Sequence, residues 1–249
     1  MNQANTQALK VALVTGAARR IGAAIAEQLH QAGYSVIIHC RSSLAEAQSL
    51  AQNLNQKRPN SALVLPCDLC THQAIEELIS SATAWVGRLD VLVNNASIFS
   101  RTDLADFDDK GWSELFETNV KIPFQLSLAA RPYLALQQGA IINITDIHAD
   151  KPLKGYAVYC QTKAALVMQT KALAREFAPQ IRVNAIAPGA IAWPEQGNVL
   201  SLEQKNEIIN KTPLKRHGSP LFIAQAVLAL IENPFITGQI LNVDGGRSV

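Results

Sequence analysis

The chain has 249 residues, of which 48% are hydrophobic, 17% charged and 6% aromatic, a balance that suits a globular protein with a large buried core. Its formal net charge of +2 provides no general field to draw it to nucleic acid or to an anionic membrane. No apolar run approaches the roughly 20 residues of a membrane-crossing helix, and Met1 to Lys10 has neither a hydrophobic secretory core nor an arginine-rich presequence, so a cytoplasmic protein is expected.

Short runs rich in Val, Ile and Leu alternate with longer helical patterns along the chain. A first strand is expected at Val11–Thr15, followed by the glycine-containing loop "TGAARRIG". The helix predicted over Ile21–Gln31 carries an apolar stripe of Ile21, Ala24, Ile25 and Leu29, with Gly33 placed to stop it. Further strands are expected at Ser35–His39, Ala62–Asp68, Val91–Asn95, Ala140–Thr145, Ile181–Ala187 and Gln239–Val243. Most are apolar throughout rather than alternating, which implies cover on both faces. The alternation predicts an α/β fold. It would be a doubly wound, Rossmann-type parallel sheet of about seven strands, with right-handed crossovers and helices on both faces.

No linker, repeat or low-complexity tract divides residues 1–249, so one domain is expected. Ala190 to about Lys211 is the least patterned stretch and reads either as a substrate loop closing over a site or as a surface excursion. The four cysteines are Cys40, Cys67, Cys70 and Cys160. "CDLC" has no second ligand pair at zinc-like spacing, so free thiols and no metal are expected.

Gly16 and Gly22 bracket the first passage from strand to helix, where backbone N–H groups and the helix dipole can hold a pyrophosphate. Arg19 and Arg20 stand inside that loop as candidate phosphate ligands. After the second strand, "HCRSS" (His39 to Ser43) contains no carboxylate to accept from a ribose 2′-hydroxyl. Arg41, Ser42 and Ser43 can instead donate to a 2′-phosphate, so NADPH is expected rather than NADH. Asp68 either takes an adenine amino group or caps the helix beginning near Thr71. Asn94 to Ser97, "NNAS", end the fourth strand with small residues that let a flat cofactor approach.

Tyr159 and Lys163 lie four apart in a helical stretch and share a face. A phenol is a poor acid–base group near neutrality unless its surroundings shift it. The Lys163 ammonium and a nicotinamide's positive charge are expected to lower the Tyr159 pKa. Asp146 follows an apolar run thirteen residues upstream of that tyrosine.

"TGAARRIG", "NNAS", "YCQTK", "NAIAPG" and "ITGQILNVDGG", in this order and spacing, resemble the short-chain dehydrogenase/reductase family over essentially the whole chain. The resemblance implies Tyr159 as general acid, Lys163 as its modulator and Asn119 of "ETNV" in a proton relay. It also implies cofactor contacts from Gly16, Ile21, Asp68, Leu69, Asn95, Ala96, Ser97, Lys163, Pro188 and Gly189. Two departures stand out: Arg20 replaces the usual middle glycine, and Asp146 replaces the usual serine. That combination is similar to the pteridine reductase branch. It implies reduction of a dihydropterin, with oxidised pterin or dihydrofolate as further candidates. Phe99 would stack the pterin against the nicotinamide, Tyr156 would wall the pocket, and Arg20 and Ser97 would meet the substrate's polar edge. A homotetramer is implied too. The alternatives are a carbonyl or 3-oxoacyl reductase that carries Asp146, and a non-catalytic NADP(H)-binding regulator.

Overall fold

A computed structural model describes residues 9–193 and 200–249. Seven parallel strands form one sheet in the order β3-β2-β1-β4-β5-β6-β7. They are β1 (Val11–Val14), β2 (Ser35–Cys40), β3 (Ala62–Pro66), β4 (Val91–Asn94), β5 (Ala140–Ile144), β6 (Arg182–Pro188) and β7 (Ile240–Val243). Each falls within two residues of its expected bounds. Every residue of β1, β2, β4 and β5 is buried, which is why these strands read as continuous apolar runs.

Successive side chains divide the core between the two faces of the sheet. Ala12 and Val14 join Ile25, Leu29 and Val227 on one face. Val11 and Leu13 join Leu78, Leu126 and Leu173 on the other. The first face is covered by α1 (Arg20–Gln31), α2 (Leu44–Lys57) and α8 (Pro220–Glu232), with α1 packed on α8. The second is covered by α3 (His72–Val86), α5 (Ile122–Leu136) and α6 (Ala157–Glu176). The chain winds outward from β1 through β2 to β3, then resumes at β4 on the other side of β1. That reversal opens a crevice beyond the carboxyl ends of β1 and β4.

Buried amides set the angle of α6. Asn94 Nδ2 of β4 donates to Asn143 Oδ1 of β5 at 2.8 Å, and Asn143 Nδ2 donates to Thr170 Oγ1 of α6 at 2.9 Å. These bonds fix the rotation of α6 against the sheet and so decide which way Tyr159 and Lys163 face. The helix α4 (Asp109–Phe116) passes through one π-helical turn, Glu117–Lys121, into α5. Asn119 sits in that turn, a kind of irregularity that often marks functional sites.

The end of the stretch from Ala190 to Lys211 is helical, which its polarity did not signal. Residues 194–199 of the expected substrate loop lie outside the described residues, but Leu202–Asn210 form the helix α7. Its start is a capping box: Gln204 N donates to Ser201 Oγ at 3.2 Å and Ser201 N to Gln204 Oε1 at 2.9 Å.

Asp90 clasps the lower edge of the sheet. Its Oδ2 accepts from Val11 N at 2.8 Å and from Arg88 Nε at 2.9 Å, and Oδ1 accepts from Arg88 Nη2 at 2.6 Å. Asp90→Ala leaves a partly buried guanidinium and an amide without their acceptor. It should lower unfolding free energy by about 3 kcal/mol, read as an earlier urea midpoint at unchanged slope. An unmoved midpoint would contradict the clasp.

Candidate active site

A cleft of about 660 Å³ lies at the carboxyl ends of the strands, and its walls include Gly16, Arg41, Asp68, Asp146, Tyr159 and Gly189. Its size is that of a small-molecule site. Of the expected cofactor and substrate positions, Arg19, Arg20, Ile21, His39, Ser42, Ser43, Leu69, Asn95, Ala96, Ser97, Phe99, Tyr156, Lys163 and Pro188 also line it. Asn119 stands behind the wall.

The glycine loop is held by polar stitching between strand ends. Thr15 Oγ1 accepts from Asn95 N and Ala96 N at 2.9 and 3.0 Å. Asn95 Nδ2 donates to Thr15 O and Gly16 O at 2.8 and 3.0 Å. Gly16 has φ +59°, where a side chain is strained, and a Cβ on Gly22 would lie 2.3 Å from Gly16 O, so the loop favours glycine at the first place and requires it at the second. Asn95 and Ala96 therefore shape the crevice as well as line it. Thr15 is a member that the sequence left unmarked, since only the packed strand ends bring its hydroxyl to Asn95.

His39 has both ring nitrogens engaged. Nδ1 accepts from Gly16 N at 3.3 Å, which leaves the proton on Nε2 to donate to Cys67 O at 3.0 Å. Burial lowers its pKa, in keeping with a neutral ring. The imidazole thus ties the glycine loop to the ends of β2 and β3. Asp68 Oδ1 accepts from the Cys70 thiol at 2.9 Å. The cap of α3 is instead Thr71, whose Oγ1 accepts from Ala74 N at 3.1 Å, so the capping alternative for Asp68 falls away. All four cysteines are free thiols.

Arg20 opens α1 with φ +56°. A side chain in this left-handed region costs about 1–2 kcal/mol over glycine. Its guanidinium Nη2 donates to Ala192 O at 3.0 Å and Trp193 O at 3.2 Å, latching the glycine loop to the segment after β6. Trp193 in turn stacks on His217 at 4.2 Å.

At the centre of the cleft three elements converge. Asp146 caps a short 3₁₀ turn, Ile147–Ala149, with Oδ1 accepting from His148 N at 2.9 Å. Its Oδ2 accepts from Tyr159 Oη at 2.7 Å. Tyr159 stands in the first turn of α6 and is 4% exposed. Burial first, then the charge of Asp146 and the hydrogen bond to it, hold the phenol pKa well above its ordinary value. This reverses the expected direction. The carboxylate touches the phenolic oxygen, whereas Lys163 Nζ lies 5.6 Å from the ring centroid and donates to Ile144 O at 3.1 Å. Lys163 is 2% exposed, and burial lowers its pKa to about 8 against the opposing effect of Asp146.

Asn119 Oδ1 accepts from Ile98 N at 2.9 Å, while its Nδ2 donates to Ile98 O and Thr162 Oγ1 at 3.0 and 3.1 Å. It pins the loop after β4 to α6. On that loop, Phe99 stacks on Tyr156 at 4.4 Å and meets Tyr159 edge-on at 4.7 Å. The Arg101 guanidinium lies 5.3 Å from the Tyr156 ring centroid, a contact between residues 55 apart that no local pattern signals.

A family model described as Enoyl-(Acyl carrier protein) reductase matches residues 16–248. The 3-oxoacyl-[acyl-carrier-protein] reductase FabG of Staphylococcus epidermidis is 36% identical over 95% of this chain and 98% of its own length. The corresponding protein of Staphylococcus aureus is 36% identical over 95% and 97%. Pteridine reductase 1 of Leishmania tarentolae is 35% identical over 96% of each chain. The chain belongs to the short-chain dehydrogenase/reductase family. A short-chain dehydrogenase/reductase is an oxidoreductase, and the buried Tyr159 and Lys163 line the cleft together with the partly buried Asp146.

Two outcomes check this geometry. Because the folded Lys163 pKa is about 8 against an ordinary 10.5, the unfolded chain binds more protons between those values. The burial penalty is therefore complete below pH 8 and relieved as pH rises. Relative to Lys163→Met, the parent should gain stability between about pH 7.5 and pH 9.5 in urea titrations; a constant difference would contradict it. Arg20→Gly removes backbone strain and the latch together. It should leave the melting temperature nearly unchanged while hydrogen exchange quickens over residues 190–193.

Proposed function

We propose that this oxidoreductase uses NADPH to reduce a dihydropterin to its tetrahydro form. The observation that carries the reading is the 2.7 Å hydrogen bond from Tyr159 Oη to Asp146 Oδ2. An alcohol at position 146 would suit a ketone oxygen. A carboxylate instead suits a heterocycle that offers amino groups to it and takes a proton on ring nitrogen. The relative named pteridine reductase 1 supports this reading.

The residues fit NADPH by the chemistry of the donor set: the cleft beyond β2 is lined by Arg41, Ser42 and Ser43, with no carboxylate among them. Arg19 and Arg20 stand at the start of α1, where anions are favoured. Bound NADPH supplies a hydride. Phe99 offers a flat aromatic wall, with Tyr156 stacked against it to keep it in place. Ser97 and Arg20 line the cleft where they can meet the polar edge of a pterin. Tyr159 holds the proton to be delivered to the ring nitrogen, and its raised pKa keeps it protonated until a strongly basic nitrogen forms beside it. Asp146 aims the phenolic hydroxyl, and a proton from solvent returns to the phenolate once the transfer is complete. Lys163 braces the adjoining wall, and Asn119 holds the loop that carries Phe99. Assembly as a homotetramer belongs to the same reading, supported by Phe124, Leu128 and Met168 exposed on α5 and α6.

A second reading is a 3-oxoacyl reductase, favoured by the names of the two staphylococcal relatives. NADPH consumption with dihydrobiopterin and with an acetoacetyl thioester separates the two. Consumption with the thioester alone would overturn the pterin reading, and consumption with neither would favour a non-catalytic regulator. Tyr159→Phe should lower pterin turnover by about 10²–10⁴ with NADPH binding retained; near-parent turnover would refute the proton-donor role. Asp146→Ser should abolish pterin reduction in a protein that still melts cooperatively. Arg41→Ala should weaken NADPH far more than NADH, and equal weakening would contradict the 2′-phosphate contact.

A further inference from the structure

The proposed reaction leaves three cations of the cleft without a role. On that reading Arg19, Arg20 and Arg41 face cofactor phosphates, and Lys163 is buried against Ile144. Arg101, Lys154 and Arg247 line the same cleft at its other end. Arg101 lies over the Tyr156 ring, and Lys154 is exposed two residues before that tyrosine. Arg247 is half-buried, with Nη1 donating to Ile208 O at 3.3 Å.

Among the described residues none of these three is paired with a carboxylate. The carboxylates lining the cleft are Asp68, beyond β3, and Asp146, bonded to Tyr159. A chain with net charge +2 thus places Arg101 and Lys154 at one opening with no carboxylate partner, beside an Arg247 whose charge is shared with Glu207. Such a cluster repels itself and attracts an anion.

We propose that Arg101 and Lys154, with Arg247, receive an anionic group on the substrate's side chain. The enzyme then prefers a dihydropterin carrying carboxylates or a phosphate over one with a neutral side chain. This inference rests on the pterin reading. Carboxylate and phosphate share the required chemistry, since each accepts hydrogen bonds from a guanidinium fork and an ammonium. The contact lies away from the reacting atoms. It is made equally in the ground and transition states, and it acts on KM rather than kcat.

The test is initial rates of NADPH oxidation with dihydrobiopterin (neutral), dihydrofolate (dicarboxylate) and dihydroneopterin phosphate. In the parent, kcat/KM should be higher for at least one anionic substrate than for dihydrobiopterin, and the one favoured identifies the group received. Arg101→Met and Lys154→Met keep the aliphatic stems and should each reduce that ratio about three- to fivefold, as loss of an exposed ion pair would. Added salt should reduce it as well. A parent ratio of one or below, or a ratio unmoved by both substitutions, would overturn the inference and leave pterin reduction standing. No oxidation with any of the three would instead remove the pterin reading on which it rests.

Discussion

The hydrogen bond between the Tyr159 hydroxyl and the Asp146 carboxylate organises the site. It brings a phenol out of water beside a negative charge, an arrangement that disfavours phenolate on two counts. The nearby lysine does not undo this, because it is itself desolvated and makes its hydrogen bond to the backbone of β5. Where an ammonium dominates, a tyrosine drifts toward phenolate. Here the balance keeps a proton in store, which is what reduction of a C=N bond requires on its nitrogen side.

That pair exists only because distant parts of the fold agree on its position. The Asn94–Asn143–Thr170 chain locks α6 to the sheet. Asn119, in the one irregular turn between α4 and α5, ties α6 to the loop that carries Ser97 and Phe99. His39, Thr15 and Asn95 shape the opposite bank, around the glycine loop. Much of the polar interior thus positions the cleft and also satisfies buried backbone groups.

The strands were legible in the sequence because both of their faces are covered, so burial wrote continuous apolar runs into them. The two ends of the glycine loop were legible because a left-handed backbone strains any side chain at Gly16 and backbone crowding excludes one at Gly22. The helix α7 was not read, although "SLEQ" contains the S-x-x-Q signal of its capping box, because the surrounding polarity masked a weak apolar stripe. Nor could spacing supply the direction of the Tyr159 shift. The four-residue interval places Lys163 one turn away, but the reach of Asp146 across thirteen residues is set by the meeting of β5 with α6. The Arg20 latch and the Arg101–Tyr156 contact are tertiary in the same sense.

If the carboxylate and phenol together face a nitrogen-rich ring, a crystal structure of the protein with NADP⁺ and a dihydropterin will show it. The Asp146 and Tyr159 oxygens should both lie within about 3.2 Å of ring or amino nitrogens, with Phe99 against the face of the ring. A bound pterin with Asp146 turned away from it would refute the pairing of carboxylate with heterocycle.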